Sequence, residues 1–320
     1  MGVDLPNLNL YQLRYLREAA SAETWTAAAA NLGVSQSALS QGIAELERRL
    51  GIVLFERDGR SRRLTPQALD VLAYAEAVLA QTSDLARHIA RFNSGQAGTL
   101  RVGMIDAAFL YMLPDVIERF RCEHPAVDLR LVVRPSTQLL QECRRGDLDV
   151  AFVVAPDGEL PDFAGALTST VVTIEQLWLC VAQNADPAPT SVADAAAIAQ
   201  SGERPRWVMY PATSRTRSIV DRGLARHGLA AAGLGADVAA ESGNPRVLRQ
   251  MVELGLGWSV LPESVAATAV NIKTVGTEPI AERPIVAARR ADAPADARAA
   301  DFLMLAESVT HQSGFSNPTR

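Results

Sequence analysis

At 320 residues the chain has room for two or three ordinary domains, each able to bury its own core. Its 48% hydrophobic and 21% charged residues are those of a soluble globular protein. A formal net charge of -5 excludes wholesale polyanion binding, so any nucleic-acid contact must come from a local patch. Arginine carries almost all the basic charge, and Lys273 is the single lysine. The cysteines, Cys122, Cys143 and Cys180, stand far apart without a CxxC pair, which excludes a metal knuckle or thioredoxin-like motif. They read as ordinary thiols of a reducing cytoplasm, with a redox switch as the alternative. The first ten residues, MGVDLPNLNL, read as neither a signal peptide nor a myristoylation site, and no apolar stretch is long enough to span a membrane.

Asn9 can cap a first helix over about 10–20, with Leu10, Leu13 and Leu16 on its buried stripe. Thr24 or Trp25 opens a short Ala-rich helix through Leu32, and Gly33 suits the left-handed end. Ser35 is an N-cap for a third helix over 36–50. Its Leu39, Ile43, Leu46 and Leu50 point inward, while Gln36, Ser37, Ser40 and Gln41 lie largely on the other side. Uncharged donors and acceptors suit base edges in a major groove; a solvated polar face is the plainer reading. The next run, GIVLFERDGRSRRLT (51–65), holds a tight-turn signal at Asp58-Gly59 between two strand-like pieces. Arg57, Arg60, Arg62 and Arg63 cluster there, as in a wing that meets phosphates or the minor groove.

Residues 10–74 resemble the DNA-binding domain of the LysR-type transcriptional regulators. The alanine pair of that family's second helix falls on Ala28 and Ala29. Its SQ-x-A-x-S motif falls on Ser35, Gln36, Ala38 and Ser40. Its L-E-x-x-L-G-x-x-L-F-x-R signature is met by Leu46, Glu47, Leu50, Gly51, Leu54, Phe55 and Arg57. Three positions depart from the common pattern: Ser37 replaces Pro, Gln41 replaces Arg and Ala68 replaces Gly. The expected DNA-binding residues are Thr26, Ser35, Gln36, Ser37, Ser40, Gln41, Arg57, Arg60 and Arg62.

Thr65-Pro66 is a favoured helix opening, and nothing breaks the pattern to about 92. Leu69, Leu72, Ala75, Leu79, Ala86 and Ile89 form a stripe that something must cover. A second copy of the helix is the simplest cover, and the resemblance implies such an antiparallel pair. Packing on the chain's own C-terminal domain is the alternative. A dimer would present two recognition helices about 34–36 Å apart, or a multiple of it. The resemblance also implies tetramers. Asn93-Ser94-Gly95 with Gly98 ends the helix.

From residue 99 strands alternate with helices: strands near 100–105, 127–133, 148–154 and 175–182, helices near 110–124 and 138–145. This pattern predicts a parallel sheet covered on both faces. RWVMYP, ADVAAES and WSVLPE continue a second set begun by 175–182; PIVAARR and a helix near 296–309 return to the first. The arrangement resembles the LysR-type effector domain, similar to periplasmic binding proteins. The expected fold is therefore multidomain α/β: a winged helix-turn-helix at 1–65, a linker and dimerisation helix at 66–95, and a two-lobed effector domain at 96–320. Lobe I takes about 98–168 and 272–310, lobe II about 169–271.

Open α/β sheets bind ligands beyond the carboxyl ends of their strands. That selects Asp106, Ala107 and Ala108, then Ser136 and Thr137, then Tyr210, Thr213, Ser214, Arg215 and Thr216, with Ser242, Gly243 and Asn244 nearby. The hydroxyls, helix N-termini and Arg215 suit a carboxylate or amino-acid-like effector. Asp106 would pair with Arg215, bind an amino group or cap its helix. The partners expected are double-stranded promoter DNA, a small-molecule effector and further copies of the chain, with no membrane, cofactor or metal. Two other readings stand beside this: an orphan DNA binder whose cleft its own side chains fill, and an enzyme, although His88, His124, His227 and His311 sit in no catalytic motif.

Overall fold

The computed structural model describes residues 7–58, 61–94, 98–155, 159–160, 163, 165–201, 205–229 and 238–312. Two compact units result, one formed by the chain up to Ser94 with Arg144–Gly146, the other by the remainder.

In the first unit each helix begins on the cap its sequence offers. Asn9 accepts from the Gln12 amide at 2.9 Å and starts α1, Leu10–Ser21. Thr24 accepts from Ala27 at 3.1 Å and starts α2, Trp25–Leu32. Gly33, at φ 68°, takes the left-handed turn that ends α2. Ser35 accepts from Ala38 at 3.1 Å and starts α3, Gln36–Leu50. Leu13, Leu16, Ala28, Ala29, Leu39, Ile43 and Leu46 close into one core.

The strands β1 (Phe55–Asp58) and β2 (Ser61–Leu64) pair antiparallel, and the expected turn residues Gly59 and Arg60 lie outside the described residues. Glu47 of α3 ties this hairpin down: its Oε1 accepts from the Leu54 and Phe55 amides at 2.8 and 3.3 Å. The Trp25 and Phe55 rings meet edge to face at 5.1 Å. Glu47→Ala strands two part-buried amides, at a cost of about 1–3 kcal/mol. Native-state hydrogen exchange at Leu54 and Phe55 will accelerate about 10- to 100-fold while α1 keeps its protection.

Thr65 donates to the Val53 carbonyl at 2.7 Å and accepts from Ala68 at 3.2 Å, opening α4, Pro66–Ser94. Its 29 residues run about 44 Å. The expected apolar stripe does not have one cover. Ala75 and Leu79 are buried in the core of the first unit, against the residues of α1, and Leu72 packs beside them. Leu69, Ala86 and Ile89 remain exposed, joined by Leu85. A 3.6-residue period fixes a face, and this long helix presents part of its face to its own domain and leaves the rest exposed.

The second unit is built on a seven-stranded sheet, ordered β10-β6-β11-β5-β3-β4 with β9 also against β6. Its first part follows the expected parallel pattern: β3 (Thr99–Met104) lies between β4 (Asp128–Val133) and β5 (Val150–Val154), parallel to both. The single helix expected at 110–124 is two pieces: a π-helical turn, Ala108–Met112, then α5, Pro114–Glu123. Pro114 supplies no N–H and its ring collides with the preceding turn, so an uninterrupted α-helix is excluded there. α6 is Ser136–Arg144. α11 (Ala297–Gln312) packs on α5, with Phe302 against Phe120 and Phe152 at 5.2 and 5.9 Å.

The parallel pattern then stops. The strand expected to begin a second sheet at 175 is the end of β6, Leu167–Ala182, sixteen residues long. It runs antiparallel to β11 (Ala281–Arg290), which also pairs antiparallel with β5. Beyond β11 its far end pairs with β9 (Ser259–Pro262) and β10 (Ile272–Thr274). Residues 272–274, expected with the first set of strands, thus pair with the same end of β6 that meets β9. β11 shifts register between Ile285 and Val286, one residue past Pro284, where a strand can spare an N–H.

Among the described residues four helices dress this second part: α7 (Val192–Gln200), α8 (Arg215–Arg226), α9 (Pro245–Glu253) and α10 (Glu263–Ala266). A parallel pair, β7 (Trp207–Met209) and β8 (Val238–Glu241), joins the rest through a bridge between Trp207 and Trp258. A Cβ on Gly257 would stand 2.5 Å from the Arg206 carbonyl oxygen, so only glycine allows that approach.

Candidate functional site

On α3 the buried side is Leu39, Ile43 and Leu46, which leaves Gln36, Ser37, Gln41, Ala44 and Arg48 facing water. Ser40 is half-buried. Ser35 is occupied as the cap, and its hydroxyl lies 2.9 Å from that of Ser37. Thr26 is exposed in the first turn of α2. Strand alternation sorts the wing arginines into two kinds. Arg57 and Arg62 are direct cross-strand partners, as are Glu56 and Arg63. Arg63 is neutralised by Glu56 at 3.0 Å. Arg57 and Arg62 have no acidic partner among the described residues, and two like charges opposite each other repel. Arg62 relieves this by laying its guanidinium over the Trp25 ring, 4.0 Å from the centroid. That contact joins the wing to α2, and no pattern along the sequence announces it. Arg60 lies outside the described residues.

In the second unit a small pocket of about 10 Å³, room for about one water molecule, lies beside the crossing of β6 and β11. Ala107, Ala108, Tyr111, Met112 and Ile285 supply its apolar wall, Thr173 and Glu175 its polar part. Thr173 lies opposite Ile285, and Glu175 opposite Arg283, in the β6–β11 register. Glu175 is 6% exposed and Arg283 2%. Arg283 donates to Glu175 through Nε at 3.2 Å and again through Nη2, and its Nη1 donates to the Thr216 hydroxyl at 3.2 Å. Ser264 donates to the other Glu175 oxygen at 3.0 Å. Thus α8 and α10 are both fastened to the strand crossing through one buried ion pair.

The residues expected at the effector site divide. Ala107 lines the pocket, and Thr216 touches it indirectly through Arg283. Ser136 is buried and accepts from the Val154 amide at 3.1 Å, so it fastens α6 to β5. Thr137 is exposed. Asn244 caps α9, accepting from the Arg246 amide at 2.9 Å. Ser214 precedes α8 without a side-chain cap bond, and Arg215 is half-buried and engaged. Tyr210 is buried with no partner for its hydroxyl, and burial raises its pKa. Asp106 forms neither the expected helix cap nor an ion pair among the described residues; burial raises the pKa of its half-buried carboxyl. Tyr111 accepts from Arg246 Nε at 2.8 Å, a contact from the π-helical turn to α9.

Sequence reasoning missed Thr173, Glu175 and Arg283. One signal existed: alternation along β6 puts Glu175 in phase with Leu177 and Leu179, both fully buried. The redox alternative finds no support at two of the three thiols, because burial pushes Cys143 and Cys180 up to about 12.

A helix-turn-helix with a wing, followed by a separate α/β unit with its own pocket, defines a DNA-binding regulator that carries a sensing module. The model for the bacterial regulatory helix-turn-helix of the lysR family matches residues 10–69, and that for the LysR substrate binding domain matches 93–310. The chain therefore belongs to the LysR family of transcriptional regulators. It is 28% identical over 268 residues to the transcriptional dual regulator GltC of Bacillus subtilis, covering 84% of this chain and 85% of that one. It is 25% identical over 288 residues to the HTH-type transcriptional regulator YfeR of Shigella flexneri, covering 89% and 88%. A full-length cysteine-to-aspartate variant of OxyR from Pseudomonas aeruginosa matches at TM-score 0.58 and 25% identity over 95% of each chain. Full-length CbnR complexed with its target DNA shares the fold at TM-score 0.57 and 20% identity, over 94% of this chain and 100% of that one. Among the described residues no helix is long and apolar enough to cross a membrane.

Proposed function

We propose that this regulator reads paired half-sites in promoter DNA as a homodimer or a dimer of dimers, and that a small molecule bound in the second unit alters that reading. The observation that carries the DNA part is the uncharged, exposed N-terminal half of α3, with Gln36, Ser37 and Gln41, in one unit with Arg57 and Arg62, which have no acidic partner among the described residues. Gln36, Ser37, Ser40 and Gln41 are assigned to base edges; Thr26, Ser35, Arg57, Arg60 and Arg62 to the phosphate backbone. The working division remains 1–65, 66–95 and 96–320; the pairing of β10 with β6 supports assigning 272–274 to lobe II. The effector residues Asp106, Ala107, Tyr210, Ser214, Arg215 and Thr216 keep their assignment; Ser136 and Asn244 serve structure first, and Thr137 is available at the surface. In this reading the protein acts in the cytoplasm as a regulator without a catalytic role, and His124 is a packing residue, stacked on Phe120.

Dimerisation is assigned to the outer face of α4, where Leu85 and Ile89 stand one turn apart at 59% and 51% exposure. Sequence selection from random duplexes should enrich inverted half-sites centred a whole number of helical turns apart. Leu85→Glu should shift the sedimenting species to monomer and remove the pairing of half-sites while single half-sites still bind weakly. Selection that enriches no sequence, or a Leu85→Glu dimer that reads half-sites as before, counts against this assignment.

A further inference from the structure

We infer that Trp25 is a positioning residue for DNA binding: its indole holds the Arg62 guanidinium in place for the phosphate backbone without cancelling the charge. The inference rests on the assignment of Arg62 to the backbone and adds the group that prepares it.

Three observations carry it. First, the indole is itself fixed. Trp25 is the first residue of α2, whose opening turn Thr24 caps by accepting from the Ala27 amide at 3.1 Å through its hydroxyl and from the Ala28 amide at 2.9 Å through its carbonyl. The half-buried ring packs on the core of the first unit and meets Phe55 edge to face at 5.1 Å and 82°. Second, the wing delivers Arg62 to this ring. Residues directly opposite in an antiparallel pair share a face. Phe55 with Leu64 and Arg57 with Arg62 therefore lie on the side of the hairpin that meets Trp25, and Glu56 with Arg63 on the other. The Arg62 charge stands 4.0 Å from the ring centroid. Third, Arg62 stays exposed and has no acidic partner among the described residues.

The kind of contact decides what each arginine can do. Arg63 donates to Glu56 at 3.0 Å, which spends a donor and neutralises the cation. An indole attracts a cation through its ring quadrupole, and such a contact uses none of the five N–H donors of a guanidinium. Arg62 thus keeps its charge and its donors for an incoming phosphate. Restraint has a use here, because Arg57 stands directly opposite. Two guanidiniums on one face repel, and an untethered Arg62 would swing away into water. Held on the ring, it stays on that face and has less rotamer freedom to lose on binding. Among the aromatic side chains tryptophan attracts cations most strongly.

The test uses the full chain, titrated against a random-sequence duplex by fluorescence anisotropy at several salt concentrations. Trp25→Leu should weaken binding about two- to fivefold, the range of an exposed cation–π contact, with the salt slope unchanged because the arginine still meets its phosphate. Arg62→Ala should lower the slope by about 1. In the Arg62→Ala background Trp25→Leu should change affinity less than about 1.5-fold, since nothing remains for the indole to hold. Trp25→Phe keeps a ring beside Phe55 and should recover part of the loss; its own cycle with Arg62→Ala carries the test if Trp25→Leu does not fold. A loss that persists undiminished without Arg62 shows that Trp25 serves the fold alone and overturns the inference. Unchanged affinity in both Trp25 variants, with Arg62→Ala still weakening binding, also overturns it and leaves the backbone assignment standing. If Arg62→Ala itself changes nothing, that assignment falls and the inference with it.

Discussion

Arg283→Ala should destabilise the second unit by about 3–5 kcal/mol, the largest single loss expected in the molecule. The substitution leaves the Glu175 carboxylate buried with Ser264 as its remaining partner and takes the donor from Thr216. Both side chains also fasten the packing of α8 and α10 against the strand crossing, so the loss spreads beyond one contact. Chemical denaturation followed through the buried Trp207 and Trp258 reads this unit. The double variant Arg283→Met, Glu175→Leu should recover most of the loss, because apolar side chains of similar volume avoid desolvating either charge. A single-variant cost below about 1 kcal/mol would show that water reaches the pair.

Gln41→Ala should change which operator is preferred, by about 1–3 kcal/mol at one base position. Gln41 is exposed near the middle of the polar face and has no partner within the protein among the described residues, so its amide is available to a base edge. Arg62→Ala should instead weaken binding to all sequences alike and reduce the salt slope by about 1. Arg62 differs from an ordinary surface arginine in resting over the Trp25 ring, so less entropy is lost when a phosphate meets it. Quantitative binding to a duplex library at several salt concentrations separates the two effects. Unchanged affinity and preference in Gln41→Ala would falsify the orientation of α3.

The two halves of the molecule were not equally legible. Helix caps, the left-handed Gly33 and the i, i+4 stripes of α1 and α3 are decided within a few residues, and the structure uses each at the position expected. The break at Pro114 was also local, and an uninterrupted helix over 110–124 overlooked it. The long strands were harder. A run such as 175–182 shows alternation, and alternation carries no direction, so antiparallel β6 and β11 passed for parallel strands of two separate sets. The stripe on α4 was visible, while the division of its cover between the first unit's core and an exposed outer face was not.

Local chemistry along the chain is enough to specify a winged helix-turn-helix with an uncharged reading face and a basic wing, followed by a larger α/β unit. Its arginine-rich hairpin and its capped helices need only near neighbours. Which wing cations are free is a matter of strand register, since Arg63 meets Glu56 and Arg57 faces Arg62 only once β1 and β2 pair. The character of the pocket likewise arises only in the folded sheet. Glu175 and Arg283 are separated by more than a hundred residues and become neighbours through the pairing of β6 with β11. That pairing neutralises the buried arginine and leaves Thr173 unpartnered beside it, for the physical reason that register between distant strands is set by the packing of the whole sheet.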